Sequence, residues 1–369
     1  MDNAFECMQH ALSLAKKGKY LVSPNPLVGC VITKNHKIIG EGWHKKVGEN
    51  HAEINAILNV KARFGDNYLE LLKGSTVYTT LEPCSTQGKT GACSSILINS
   101  KIAKIVIASR DKSQNSIKKL LDVGIEVEEA DHTLQYEAHE LNKGFFSRIT
   151  KGRPFITCKV GLSNDGGIAL ENKESKWITC EESRKDVHNL RAQNDVIYTG
   201  IGTILSDNPE LTARNMDTQE FNQPLRCIID AQNKMIGTEK VFNNKAKTLI
   251  FCEKTPKEQK ISVKYIESNS KNSKLNLSET MMWLGKRNLN TVLVESGPRI
   301  IKGLINENLV DQFIFYIAPK ILGNGRINFL DFIHKEPKLG KIELIMKVIK
   351  PIGKDLKITA IPIYSQNDQ

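Results

Sequence analysis

The chain of 369 residues contains no apolar run long enough to cross a bilayer, which excludes a membrane-spanning helix. Its first residues, Met1-Asp2-Asn3-Ala4-Phe5-Glu6, lack the basic start and apolar core of a secretion signal, so a cytoplasmic protein is expected. Aromatic residues are only 6% and do not interleave with basic ones, which argues against a nucleic-acid partner. Eight cysteines scattered through so long a chain do not make a disulfide framework, and most are expected to be buried thiols. No internal repeat or low-complexity tract is present. No G-x-G-x-x-G occurs, so a Rossmann dinucleotide site is not indicated.

What is present is the composition of an ordinary globular protein, 40% hydrophobic and 25% charged, in a length that predicts two domains. The net charge of +11 suggests an anionic partner. Many of the lysines, however, crowd into Lys234 to Lys274, which reads as polar, solvated surface. Helical spacing of Phe5, Met8, Leu12 and Ala15 is followed by β-rich runs at 28–33 and 37–43, a helix from Ala52 and a strand at 76–81. A helix from Cys93, a strand at 104–109, a helix at 116–121 and a strand at 125–128 complete an alternation that predicts a layered α/β sheet. Turn formers and charge from Asn142 to Pro154 place a domain boundary near Arg148, giving domains 1–147 and 148–369. The second half repeats the α/β logic, with helices at 181–193 and 298–306. Its strands are expected at 195–200, 226–230, 291–295, 312–318, 341–349 and 355–363.

One constellation carries chemistry. His51-Ala52-Glu53, then Pro83-Cys84 and Cys93, supply an imidazole, two thiols and a carboxylate. Hydrolytic zinc needs three protein ligands and one open position for a water, with a nearby carboxylate to move protons. His51, Cys84 and Cys93 are the candidate ligands for one zinc per chain, and Glu53 the candidate general acid and base. The signature of zinc nucleobase deaminases is H-x-E followed by P-C-x-x-C; here eight residues separate the cysteines. Cys93 falls at a predicted helix start, where the dipole favours a thiolate. In the second half, Gly200-Ile201-Gly202-Thr203 and Ser296-Gly297-Pro298 each follow a strand, where free N–H groups suit a cofactor phosphate or simply make a tight turn.

These motifs, with Ser23-Pro24-Asn25-Pro26-Leu27-Val28-Gly29 and Thr79-Thr80-Leu81-Glu82-Pro83-Cys84-Ser85, resemble the deaminase domain of bifunctional riboflavin-biosynthesis deaminase/reductases. Ser175-Lys176-Trp177-Ile178-Thr179, Gly202-Thr203-Ile204-Leu205-Ser206-Asp207-Asn208-Pro209 and Ala318-Pro319-Lys320-Ile321-Leu322-Gly323 resemble the reductase domain of the same enzymes. The resemblance covers almost the whole chain. It implies a cytidine-deaminase-like αβα layer domain followed by a dihydrofolate-reductase-like α/β domain, and a homo-oligomer. It also implies zinc-dependent deamination of 2,5-diamino-6-(5-phosphoribosylamino)pyrimidin-4-one and NADPH-dependent reduction of the ribosyl group to ribityl. By the resemblance, Gly161, Trp177, Thr203, Asp207, Gly297, Pro298, Arg299, Ile300, Ile301, Lys302 and Gly303 contact NADPH. Ser175, Arg191, Leu211, Arg214 and Glu295 contact substrate. Arg191 and Arg214 suit a phosphate by their fork geometry, Lys159 is either a positive charge near the substrate or a solvated lysine at a strand end, and Asp207 is either functional or a cap.

The chain departs from the family's pattern in places. Thr86 stands where histidine is usual, Gly91-Ala92 where two prolines are usual, and a shorter Lys112-Ser113-Gln114-Asn115-Ser116 follows Asp111. Gly167 and Ser296 are milder departures. All spare the zinc ligands and fall in substrate-facing loops, which leaves two alternatives. One is an active reductase fused to an impaired deaminase domain; the other, less favoured, is a nucleic-acid base deaminase.

Overall fold

The computed structural model describes residues 4–85, 91–170, 178–214, 216, 220–260, 262–271, 274–329 and 342–364. The chain divides into two compact units, Met1–Ile149 and Thr150–Gln369. In the first, the order is α1 (Ala4–Ala15), β1 (Gly29–Lys34), β2 (Lys37–Trp43), α2 (Ala52–Phe64), α3 (Tyr68–Leu72), β3 (Thr76–Thr79) and α4 (Cys93–Asn99). Then come β4 (Lys104–Ile107), α5 (Ser116–Asp122), β5 (Glu126–Glu129), α6 (His132–Leu141) and α7 (Lys143–Lys151). The sheet order is β2-β1-β3-β4-β5. β1 is antiparallel to both neighbours, whereas β3, β4 and β5 run parallel.

Period-two alternation splits the strands between two cores. Cys30, Ile32, Val77, Ile105 and Ile107 face α2, α4 and α5, packing on Ala56, Val60, Leu97 and Leu120. Val31, Tyr78 and Val106 face the other way, onto Met8, Leu12, Leu134 and Ala138 of α1 and α6. The result is three layers, helix–sheet–helix.

Two features differ from the sequence reading. The turn formers after Asn142 do not break the chain, because α7 runs through them. Asn142 is instead a clamp: its Oδ1 accepts from the Leu27 N–H and its Nδ2 donates to the Leu27 carbonyl, both at 2.8 Å. α6 went unread because its start is signalled only by Asp131, whose carboxylate accepts from the Thr133 N–H at 2.8 Å.

The second unit runs β6 (Phe155–Ser163), β7 (Gly167–Leu170), α8 (Glu181–Ala192), β8 (Val196–Gly200), α9 (Ile201–Asp207), β9 (Leu225–Ile229), β10 (Thr248–Cys252) and β11 (Val263–Glu267). The short β12 (Ser270–Lys271) and β13 (Lys274–Leu275), α10 (Leu277–Gly285), β14 (Thr291–Val294) and α11 (Pro298–Asn306) follow. β15 (Gln312–Ala318), β16 (Arg326–Asn328), β17 (Glu343–Ile352) and β18 (Asp355–Ile363) complete it. The main sheet has nine strands in the order β11-β10-β9-β8-β14-β6-β15-β18-β17. It is parallel from β11 through β15 and antiparallel over the last two. The Lys234–Lys274 stretch is therefore not all solvated surface: every residue of β10 is buried within it. A short fully buried strand between lysine-rich turns gives no alternation to read.

The helix that carries the His51-Ala52-Glu53 motif lies hard against β2. A Cβ on Gly42 would sit 2.4 Å from the Ala56 nitrogen and 2.6 Å from the Ala52 carbonyl oxygen, so α2 approaches as only glycine allows. Gly42→Ala is expected to destabilise the first unit by about 1–3 kcal/mol in denaturant unfolding.

Candidate active sites

The C-terminal ends of β3 and β4 leave the first sheet on one edge, and the N-termini of α2 and α4 arrive at the same edge. His51 is the residue before α2, extended at φ −69° and ψ 165°, and its side chain makes no capping bond, so the imidazole is available to face the cysteines. Its Nδ1 lies 3.2 Å from the Cys93 Sγ and 3.5 Å from the Cys84 Sγ. All three ligand atoms fall within 4.8 Å of one another. Ligands on a tetrahedral zinc stand about 3.5–3.8 Å apart, so this donor set fits the ion in both chemistry and spacing.

A hydrogen bond joins the two sulfurs. The Cys84 thiol is drawn down to about 4, first by its hydrogen bond from Cys93 and then by His51. Cys93, bonded to that sulfur and desolvated, is pushed upward. Cys93 is the first residue of α4, the helix start expected from the sequence. Glu53, in the first turn of α2, is only 3% exposed, and burial raises its carboxyl above the usual range.

Three surrounding groups were not read from the sequence. His44 donates from Nδ1 to the Asn50 carbonyl and accepts at Nε2 from the Asn25 amide, each at 3.0 Å, which defines a neutral tautomer. Burial, first among its influences, lowers its pKa. Its ring meets His51 edge-on at 5.5 Å between centroids. Glu82, buried two residues before Cys84, accepts from the Asp111, Ser116 and Ile117 amides and the Ser116 hydroxyl. Gln114 accepts at Oε1 from the Ser85 amide at 2.8 Å and its hydroxyl at 3.0 Å. None of these pairings has a sequence periodicity to signal it; adjacency of Glu82 to Cys84 was the one available hint.

In the second unit, the charged groups gather where β8 and β14 end, beside Lys159 midway along β6. Glu295, 7% exposed, follows β14 and accepts from Arg191 of α8 twice, Nε to Oε1 at 2.6 Å and NH2 to Oε2 at 3.0 Å. Lys159 of β6 lies 3.2 Å from the same carboxylate. Burial alone would raise the Glu295 carboxyl, but Arg191 and Lys159 outweigh it and hold it at about 2. The fork of Arg191, expected to meet a phosphate, is thus occupied by a carboxylate, with NH1 donating to the Thr212 carbonyl at 3.0 Å. Arg214 keeps half its side chain exposed, 3.8 Å from Glu210. His188, on α8 near both arginines, is pushed down to about 4 by burial and then by their charges.

The two glycine-bearing turns lie together. The Gly297 N–H donates to the Thr203 hydroxyl at 3.3 Å, and the Gly200 N–H to the Ser296 hydroxyl at 3.2 Å. Cβ atoms on Gly202 or Gly297 would meet nothing within 4 Å, so both turns open onto free space. Pro298 starts α11, where its missing N–H costs no helix bond. Arg299, Ile300, Lys302 and Gly303 follow on its first turns, but the Ile301 side chain, 1% exposed, is part of the core. Gly161 lies on β6 opposite Tyr316. Leu211 is buried at φ +51°. Asp207 ends α9, exposed, with its Oδ1 accepting from the Ser206 hydroxyl at 2.8 Å, so it caps no helix start. Ser175 and Trp177, with Thr86, lie outside the described residues.

Comparison with known proteins places both sites in one family. Residues 1–109 match the cytidine and deoxycytidylate deaminase zinc-binding region, and residues 154–358 match the RibD C-terminal domain. The riboflavin biosynthesis protein RibD of Buchnera aphidicola is 39% identical over 371 residues, spanning 95% of this chain and 96% of its own. That of Escherichia coli is 35% identical over 364 residues, with 95% and 96% covered. The crystal structure of the diaminohydroxyphosphoribosylaminopyrimidine deaminase/5-amino-6-(5-phosphoribosylamino)uracil reductase of Thermotoga maritima superposes with a TM-score of 0.86 at 31% identity, over 98% of this chain and 99% of its own. Acinetobacter baumannii RibD gives 0.87 at 30%, with the same shares covered. With both family matches, relatives aligned end to end and solved structures of the same two-unit fold, the chain belongs to the RibD family of bifunctional riboflavin-biosynthesis enzymes, a deaminase joined to a reductase.

Proposed function

We propose that the chain deaminates 2,5-diamino-6-(5-phosphoribosylamino)pyrimidin-4-one at the His51–Cys84–Cys93 centre and then reduces the ribosyl group at the site around Glu295. The observation that carries the first step is the convergence of one imidazole nitrogen and two sulfurs beside a buried carboxylate. His51, Cys84 and Cys93 hold zinc, which when bound supplies an acidified water at neutral pH. Glu53 takes a proton from the attacking water and delivers it to the departing amino nitrogen. The ring C–N bond breaks, a C=O forms and ammonia leaves. The raised pKa of Glu53 suits it to hold that proton between the two transfers.

For the second step, the turns at Gly202 and Gly297 and the first amides of α11 hold the phosphates of NADPH, which when bound supplies hydride. Their support is the open space above both glycines. Arg191 orients Glu295, and the Lys159 ammonium is set to donate a proton to the sugar oxygen as C1 takes up hydride and the ring opens. Arg214 is the guanidinium left for the substrate phosphate. Cys30, Cys158, Cys227 and Cys252 are buried free thiols, which fits work in the reducing cytoplasm. Exposed Ile345, Met346, Val348 and Ile349 on the edge strand β17 support self-association into a homo-oligomer.

Mass analysis of the product formed from the diamino ribotide with zinc and NADPH tests the whole reading; unreacted diamino substrate would overturn it. Glu53→Gln is expected to lower ammonia release about 100- to 10,000-fold, while NADPH oxidation on the already deaminated ribotide stays normal. For Glu295, the folded carboxyl is depressed, so its contribution to stability is present above the ordinary 4.5 and fades as pH falls towards about 2. The stability difference between wild type and Glu295→Gln should be flat above that range and shrink below it, as read by urea unfolding at a series of pH values.

A further inference from the structure

The segment after Asp111 does more than close a loop. We propose that Gln114 is a positioning residue of the metal centre: the segment 111–116 is a clamp that holds the backbone on both sides of Cys84, with Glu82 as its anchor. This rests on the reading of His51, Cys84 and Cys93 as zinc ligands.

The hydrogen bonds form a closed circuit around Cys84. On one side Glu82 spends its carboxylate on the segment, Oε2 accepting from the Asp111 amide at 3.2 Å and Oε1 from the Ser116 amide at 3.2 Å and its hydroxyl at 2.9 Å. Its own amide donates to the Ser109 carbonyl at 2.8 Å. On the other side the segment returns to Ser85. Gln114 Oε1 accepts from the Ser85 amide and hydroxyl, the Asn115 amide donates to the Ser85 hydroxyl at 3.2 Å, and Lys119 donates to the Ser85 carbonyl at 3.1 Å. Between these two anchors the Cys84 carbonyl accepts from the Ser94 amide at 3.2 Å and its hydroxyl at 3.1 Å, which ties the loop to the helix of Cys93. The Cys93 amide in turn donates to the Cys84 sulfur at 3.3 Å. Both neighbours of the Pro83–Cys84 pair are thus fixed by one short segment, whose interior shape is set by Asp111 accepting from the Ser113 amide and hydroxyl.

What Gln114 contributes is an acceptor. A glutamate keeps it, whereas a leucine of similar size removes it and leaves the Ser85 amide without that partner. Outer groups that orient metal ligands typically change metal affinity by roughly 10- to 100-fold.

Zinc-loaded full-length wild type, Gln114→Leu and Gln114→Glu are compared by the rate of zinc transfer to a chromogenic chelator. Ammonia-release kcat and KM, and NADPH oxidation on the deaminated ribotide, are measured on the same samples. Gln114→Leu is expected to lose zinc about 10- to 100-fold faster, with ammonia-release kcat lowered and NADPH oxidation unchanged. Gln114→Glu is expected to restore near-wild-type release. Equal release rates for wild type and Gln114→Leu, or a glutamate variant as leaky as the leucine, would overturn the clamp. Loss of NADPH oxidation alongside would also overturn it, showing a general effect on folding. A wild type that takes up no zinc would instead overturn the metal assignment, and the clamp with it.

Discussion

Where parallel strands lie side by side their C-terminal ends leave the sheet on one edge, and in each unit that edge is where the reactive groups collect. β3 and β4 deliver Cys84 and the segment after Ser109 to a common rim, while β8 and β14 end in the Gly200 turn and Glu295, with Lys159 brought beside them from the middle of β6. Everything else about the sites follows from which helices start there. α2 and α4 bring His51, Glu53 and Cys93 to the first rim; α9 and α11 bring their free amides to the second.

The two units solve the burial of charge differently. In the first, Glu82 is held by three backbone amides and a hydroxyl, dipoles fixed in place by the chain itself. In the second, Glu295 is held by two cations, and those cations are themselves drawn out of solvent by the pairing. A buried pair of that kind adds little net stability over an apolar replacement, yet removing one partner strands the other. Its presence at the rim of the parallel strands is better accounted for by what it orients than by what it stabilises.

Much of this was legible in the residue pattern. Helices with a single apolar stripe, such as α1 and α11, and strands with clear flanking turns, such as β2, β15 and β18, are marked by local periodicity, and the zinc ligands by a motif. The unread parts share a cause, namely partners distant in sequence. Asn142 resembles a turn former until Leu27 is beside it, and β10 resembles surface until two parallel neighbours, β9 and β11, enclose it. Arg191 has the fork that phosphate would choose, and only the fold shows that Glu295, 104 residues on, takes it first.

The imidazole of His44 has one proton to give and one lone pair to offer. Because the Asn50 carbonyl claims the proton, the lone pair must meet a donor, and the Asn25 side chain can satisfy it only with its nitrogen. The carbonyl end of that amide is therefore turned away from the ring. A main-chain oxygen beside His51 thus dictates the polarity that Asn25 presents, so the stretch Ser23–Pro26 and the metal rim are linked by a relay of orientation in which no atom needs to move.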